Sequence, residues 1–189
     1  MNRTLLAFSL AALSATAGAA NYTVDPEHTH PSFEVDHFGG LSVWRGTFKK
    51  STGTVVFDAA RQTGSVEINV DTASIDLAND KLNEHVVSPE MLDVARFPTA
   101  TYKATLGGFK YGAPTVATGT LTLHGVTRPL ALRIDSFKCM QNPMSKKDVC
   151  GADATGTFDR ADFGVNYGQQ YGFKQEVAMR IQVEAIKAD

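Results

Sequence analysis

The stretch LTLHGVTRPLAL, Leu121 to Leu132, decides the fold. Two apolar runs meet at His124-Gly125, the place where a two-residue β-hairpin would carry Asn-Gly, and histidine is among the residues that tolerate a positive φ. A turn that tight sets Leu123 opposite Val126 and Leu121 opposite Arg128. Arg128 then shares the face of Leu130 and Leu132, either as a rim residue reaching water or as an anchor for a ligand's polar head. Pro129 lacks an amide hydrogen and belongs near a strand start or on an unpaired side.

The same period of two extends outward in both directions. Val66, Ile68 and Val70 alternate with Ser65, Glu67 and Asn69, and Val177, Met179, Ile181, Val183 and Ala185 alternate with Ala178, Arg180, Gln182, Glu184 and Ile186. Shorter pieces surround Phe33 and Val35, Val55 and Phe57, Ala100 and Tyr102, and Ala154 and Phe158. About eight or nine strands with one apolar face each are expected, bounded by Gly, Pro, Asn and Asp. That count in one domain points to an antiparallel sandwich or a closed barrel, and a barrel removes exposed edges. Between Asn79 and Pro98 the pattern changes. Asn79 can cap a short helix through Val86, and Ser88-Pro89 reads as a second helix start, so one or two short helices are expected around residues 79–96. Their apolar side, Val86, Met91, Leu92 and Phe97, should pack over the mouth or flank of the barrel.

Residues 1–20 read as a secretory signal peptide: a basic start at Arg3, an apolar run from Leu5 to Ala15, and small residues from Ala17 to Ala20. Residues 21–189 then form one domain, exported and soluble. Without Arg3 the charge is 17 minus 20, or −3, from 18 basic and 20 acidic residues in the whole chain. A mildly acidic chain without a basic run gives no reason to propose nucleic acid as a partner. Cys139 and Cys150 are the two cysteines, in a polar segment that interrupts the strand pattern and reads as a long loop. In an oxidising compartment they are expected to staple that loop as a disulfide.

Catalytic signatures are missing: there is no GxSxG elbow, phosphate loop or HExxH helix. His28 and His30 share one side of an extended segment, and Asp25 or Asp36 would complete a metal set with them. The alternative is that they hydrogen-bond near a strand end or line a polar rim, and no metal or cofactor is assigned. Small residues on several strands, Ala100, Ala104, Gly119, Ala154 and Gly156, leave room inside an eight-stranded barrel, which is wide enough for side chains or for one small ligand. An apolar interior with vacancy favours an apolar guest.

Several motifs occur in order: YTVDPEHTHPSFEVDH from Tyr22, then Arg45-Gly46-Thr47-Phe48, VDTASID, His85 with SPEMLDVARFP, GTLTLHGVTRPLAL, and FDRADFG from Phe158 to Gly164. In these the chain resembles the YceI-like proteins, bacterial periplasmic lipid-binding proteins with a lipocalin-like barrel. The resemblance implies an all-β, antiparallel eight-stranded barrel whose elongated apolar cavity holds a polyisoprenoid or similar long-chain amphiphilic lipid, a quinone or a prenyl phosphate, without chemistry. The lining is expected from Phe33, Val35, Phe48, Val66, Ile68, Leu121, Leu123, Leu132, Phe158, Met179, Ile181 and Val183, with His37, Arg45 and Arg128 as polar rim contacts. Leu82-Asn83 and Asp36 depart from the family's usual charges at those places, which bears on head-group preference. Two other readings stay open: a broad scavenger of lipophilic compounds including toxic ones, and a histidine-metal enzyme acting on a periplasmic lipid.

Overall fold

The computed structural model describes residues 18–188. Most of the expected signal peptide lies outside the described residues. Eleven strands and one α-helix follow in order: β1 Ala20–Val24, β2 His30–His37, β3 Ser42–Phe48, β4 Ser51–Asp58, β5 Thr63–Asp71, β6 Ile75–Asp76, α1 Asp80–Val87, β7 Thr99–Gly107, β8 Val116–Leu123, β9 Val126–Gln141, β10 Asp148–Asp159 and β11 Glu176–Lys187. Strands pair antiparallel in the order β1-β4-β5-β7-β8-β9-β10-β11, and a β1–β11 pairing closes the ring. The molecule is thus an eight-stranded antiparallel barrel, the architecture that the family resemblance implies and one of the two that the alternation allows. Closure satisfies the backbone groups that an open sheet would leave at its edges.

One end of the barrel departs from a simple ring. β11 takes β1 along its last residues, with Val24 opposite Ala185, and β2 along its first part, with Pro31 opposite Ile181. β1 and β2 therefore act as one strand interrupted at Asp25–Thr29. The fully buried Thr29 pins the interruption, its hydroxyl donating to the Glu184 carbonyl and accepting from the Glu184 amide, both at 3.1 Å. β3 and β4 are similarly interrupted at Lys49–Lys50. β4 continues against β5, whereas β3 pairs with β2 and otherwise only with the two residues of β6. The wall between β3 and the rest of the ring is completed by α1 and the chain that follows it.

The decisive hairpin folds as its sequence dictates. Leu123 faces Val126, Leu121 faces Arg128, and His124 and Gly125 take φ of 51° and 74°. Asn79 caps α1, its side chain accepting from the Leu82 amide at 3.0 Å. Ser88-Pro89, however, opens a series of turns and no second helix forms. The chain returns to α1 at once, the Leu92 amide donating to the Val86 carbonyl, and reverses at Asp93, which sits at φ 44°.

The cysteine segment is also corrected. It is the end of a long hairpin, because β9 runs to Gln141 and β10 begins at Asp148. Cys139 and Cys150 are directly opposed strand residues and form a disulfide. The alternation is masked there by a bulge, where the register shifts at Asp153/Ala154 and brings Ile134 and Phe137, three apart, to the inside.

Two clusters fill the interior. The larger holds Leu121, Leu123, Leu130, Leu132, Ala104 and Phe163, with Tyr102 and Val66 packed against it. A smaller one of Tyr22, Phe57, Cys150 and Ala185, with Phe109 and Phe137, closes the end that bears the disulfide.

Candidate functional site

At the opposite end, under α1, the barrel is not filled. A cavity of about 550 Å³ lies there, within the roughly 300–1,000 Å³ typical of small-ligand sites. Its walls come from inward-facing strand positions: Phe33, Val35 and His37 of β2, Trp44 and Phe48 of β3, Val70, Ala100, Leu121, Leu123 and Phe158, and Val177, Met179 and Ile181 of β11. Leu82, His85 and Val86 of α1, with Met91 and Leu92, form the roof. A strap between β10 and β11 adds Arg160, Val165, Tyr167 and Phe173.

Of the positions expected to line a cavity, Phe33, Val35, Phe48, Leu121, Leu123, Phe158, Met179 and Ile181 do lie on its wall. Val66, Ile68, Leu132 and Val183 do not. Val66 and Ile68 lie beyond Val70 along β5 and Val183 lies beyond Ile181 along β11, while Leu132 belongs to β9, which gives the wall no residue and packs in the core. Tyr102 contributes to this packing: it leans from β7 over β8, its hydroxyl shared between the carbonyls of Ala117 on β8, at 3.0 Å, and Leu130 on β9, at 3.3 Å. Burial pushes the Tyr102 phenol up to about 12, so it stays a donor at any ordinary pH.

Among the expected rim residues, only His37 reaches the cavity. Arg45 turns outward and donates through Nε to Glu34 at 2.9 Å. Arg128 is exposed and is not part of the cavity wall. Its cross-strand partner Leu121 faces in, but at Arg128 and Pro129 the strand end is itself exposed.

The polar groups at the mouth mainly hold the walls in place. Arg160 donates to the carbonyls of Val165, at 2.7 Å, and Tyr167, at 2.8 Å, and so fixes the strap; burial lowers its pKa. Asp159 caps the preceding turn through the Ala161 amide, and Gly164 ends it at φ 79°. Asp36 accepts from the backbone amides of Gly39, at 2.8 Å, and Lys174, at 3.0 Å, and the Lys174 amide above all holds its carboxyl below the usual range. Asn83 turns away from the cavity, accepting from the Leu77 amide, while its neighbour Leu82 contributes to the roof. His85 stands edge-on to Tyr167 with ring centres 4.5 Å apart, and its buried Nε2 has no hydrogen-bond partner among the described residues.

His28 and His30 lie outside the cavity. His28 Nδ1 is 2.8 Å from Asp25, whose carboxylate raises the imidazole pKa, and His30 Nε2 is 3.1 Å from the Glu27 carbonyl. Among the described residues no group of three or more His, Cys, Asp or Glu side chains is placed to hold a metal.

Trp44, Val70, Leu77, Leu82, Tyr167, Phe173 and Val177 are wall residues that inspection of the sequence did not single out for the lining. Val70 and Val177 carry a legible signal, since they extend the same faces as Ile68 and Met179. The strap residues carry none, because a loop has no periodicity to read.

Residues 22–185 match the YceI-like domain. The chain belongs to this family. Protein YceI of Salmonella arizonae is 35% identical over 193 residues, covering 99% of this chain and 99% of its own. Burkholderia cenocepacia BcnA shares the fold with a TM-score of 0.66 and 24% identity over 86% of this chain and 99% of its own. A polyisoprenoid binding domain from Saccharophagus degradans, implicated in plant cell wall breakdown, aligns with a TM-score of 0.64 and 15% identity over 88% of this chain and 98% of its own. No helix among the described residues of this YceI-like chain is long and apolar enough to cross a membrane.

Proposed function

We propose that this protein binds a polyisoprenoid or similar long-chain amphiphile, a quinone or a prenyl phosphate, in the cavity under α1, and carries or stores it in the periplasm without changing it. The observation that bears most weight is an unfilled, almost wholly apolar chamber at one end of a barrel whose other end is closed by side chains. Each methylene moved from water into such a chamber contributes about 0.8 kcal/mol. The Saccharophagus degradans domain of the same fold is a polyisoprenoid binder, which supports the class of ligand. A leader over residues 1–20 and a disulfide both fit export. Few polar groups face the cavity, so a broad scavenging of lipophilic compounds is the second reading, favoured by the same apolar walls.

Trp44, the sole tryptophan, lies on the cavity wall and reports on occupancy. Titration with a short-chain prenylated quinone should change its emission saturably at one ligand per chain. Ala100→Phe, which places a ring in the chamber, should weaken that binding by about tenfold or more. No change in Trp44 emission up to the ligand's solubility would contradict the proposal.

A further inference from the structure

The cavity mouth is flanked by the tip of the β2–β3 hairpin. Phe38 is 53% exposed, Leu41 76% and Val43 50%; Tyr171 of the strap is 60% exposed and precedes Gly172, whose carbonyl oxygen lies against Gly39. Isolated exposed apolar residues are ordinary, but these are neighbours. Phe38 packs on Phe173 with ring centres 4.7 Å apart, His37 packs on Phe173 at 5.3 Å, and both His37 and Phe173 are cavity wall. The apolar tip is thus continuous with the apolar lining.

The tip is also held in place. The Asp36 carboxylate accepts from Gly39 on the hairpin and from Lys174 on the strap, joining the two sides of the rim. Phe38 sits at φ 50°, a region where asparagine or glycine is at ease and a bulky aromatic is not. Core packing does not account for a half-exposed phenylalanine in that conformation. The six residues from Phe38 to Val43 carry no charge, and the nearby Tyr167 and Tyr171 bring amphipathic rings, the composition that settles at a water–lipid boundary.

We infer that the rim formed by Phe38, Leu41, Val43 and Tyr171 inserts into the surface of a lipid bilayer, so that the cavity mouth opens toward the membrane when the guest is taken up or released. The inference rests on the proposed lipid-binding function and adds where exchange takes place. A long-chain amphiphile has negligible free concentration in water, so a mouth seated on the bilayer spares it the aqueous crossing. With no charge from Phe38 to Val43 and the opposite charges of Asp36 and Lys174 beside each other, attachment should come mainly from apolar insertion and change little with salt.

The test compares the full mature protein with a Phe38→Asn/Leu41→Asn variant. Both altered side chains lie outside the cavity wall, and asparagine suits the positive φ at the first of the two positions. Flotation with phosphatidylcholine vesicles is measured at low and high salt, and Trp44 titration with a short-chain prenylated quinone is run on the same samples. Wild type should float with vesicles at both salt concentrations, and the variant should lose about tenfold or more of that partitioning while its quinone titration is unchanged. Wild type that stays off the vesicles while binding quinone would overturn the membrane inference and leave the binding function standing. Equal flotation of wild type and variant would overturn it as well. Concentration-dependent self-association of wild type, lost in the variant, with no flotation of either, would overturn it by assigning the tip to a second copy. Failure of wild type to bind quinone would count against the function separately, whatever the vesicles show.

Discussion

Gly125 and Tyr102 each do at a single position what the barrel needs. Gly125 stands at φ 74°, and a Cβ there would meet the Phe97 ring at 2.7 Å. Gly125→Ala should therefore destabilise the protein by about 1–2 kcal/mol, measured by equilibrium denaturation. Its neighbour His124 adds a side-chain contact to the Phe163 carbonyl at 3.1 Å, linking the hairpin to the turn beneath the strap. Tyr102→Phe removes the hydroxyl proton shared by the Ala117 and Leu130 carbonyls and should cost about 1 kcal/mol, again by denaturation, with quinone binding unchanged because Tyr102 is not cavity wall. The turn at His124-Gly125 is legible in the sequence because positive φ restricts residue type so strongly. The reach of Tyr102 is not, since nothing local says that a tyrosine on one strand will cross to carbonyls on two others. Arg128 shows the same limit: its register follows from the hairpin, yet its direction is set by a strand end that lies clear of the cavity.

Among the elements, the short β6 and α1 depend on polar ties. Asp76 lies 2.6 Å from Lys49 Nζ and accepts from the Ala78 amide and Asn83, with Lys49 the main cause of a carboxyl pKa drawn down to about 2. A depressed folded-state pKa stabilises the fold above the unfolded value, near 3.8, and that contribution is lost as pH falls toward about 2. A profile of Tm against pH should thus fall more steeply across this window for wild type than for Asp76→Asn. The β9–β10 hairpin is tied covalently instead. Cys139→Ser/Cys150→Ser opens a link spanning 11 residues, and should cost up to about 3 kcal/mol by the loop-closure argument. It should leave ligand binding alone, because the cavity is at the other end of β9 and β10. Strand alternation reveals most of these elements. It fails at Phe137 to Cys150, where a bulge switches the face and polar residues cover the outside, and at Ser88-Pro89, where good helix-start chemistry is overruled by the early return of the chain to α1.

For the whole molecule, period-two patterning points to a sandwich or a closed barrel with an apolar interior, and the family motifs select the eight-stranded barrel. What strand patterning cannot supply is how far the interior is filled. Leu132 and Phe33 are equivalent by alternation, yet Leu132 is packed core and Phe33 is cavity wall, because Tyr102 and its neighbours occupy one half while α1 and the strap only roof the other. A largely apolar chamber of about 550 Å³ is the feature on which the proposed function turns. Native mass spectrometry of the mature protein purified without detergent, followed by organic extraction, tests this most directly. One isoprenoid or other long-chain amphiphile per chain, released intact on extraction, is the expected result. A protein that is empty and takes up no added prenyl lipid would contradict it.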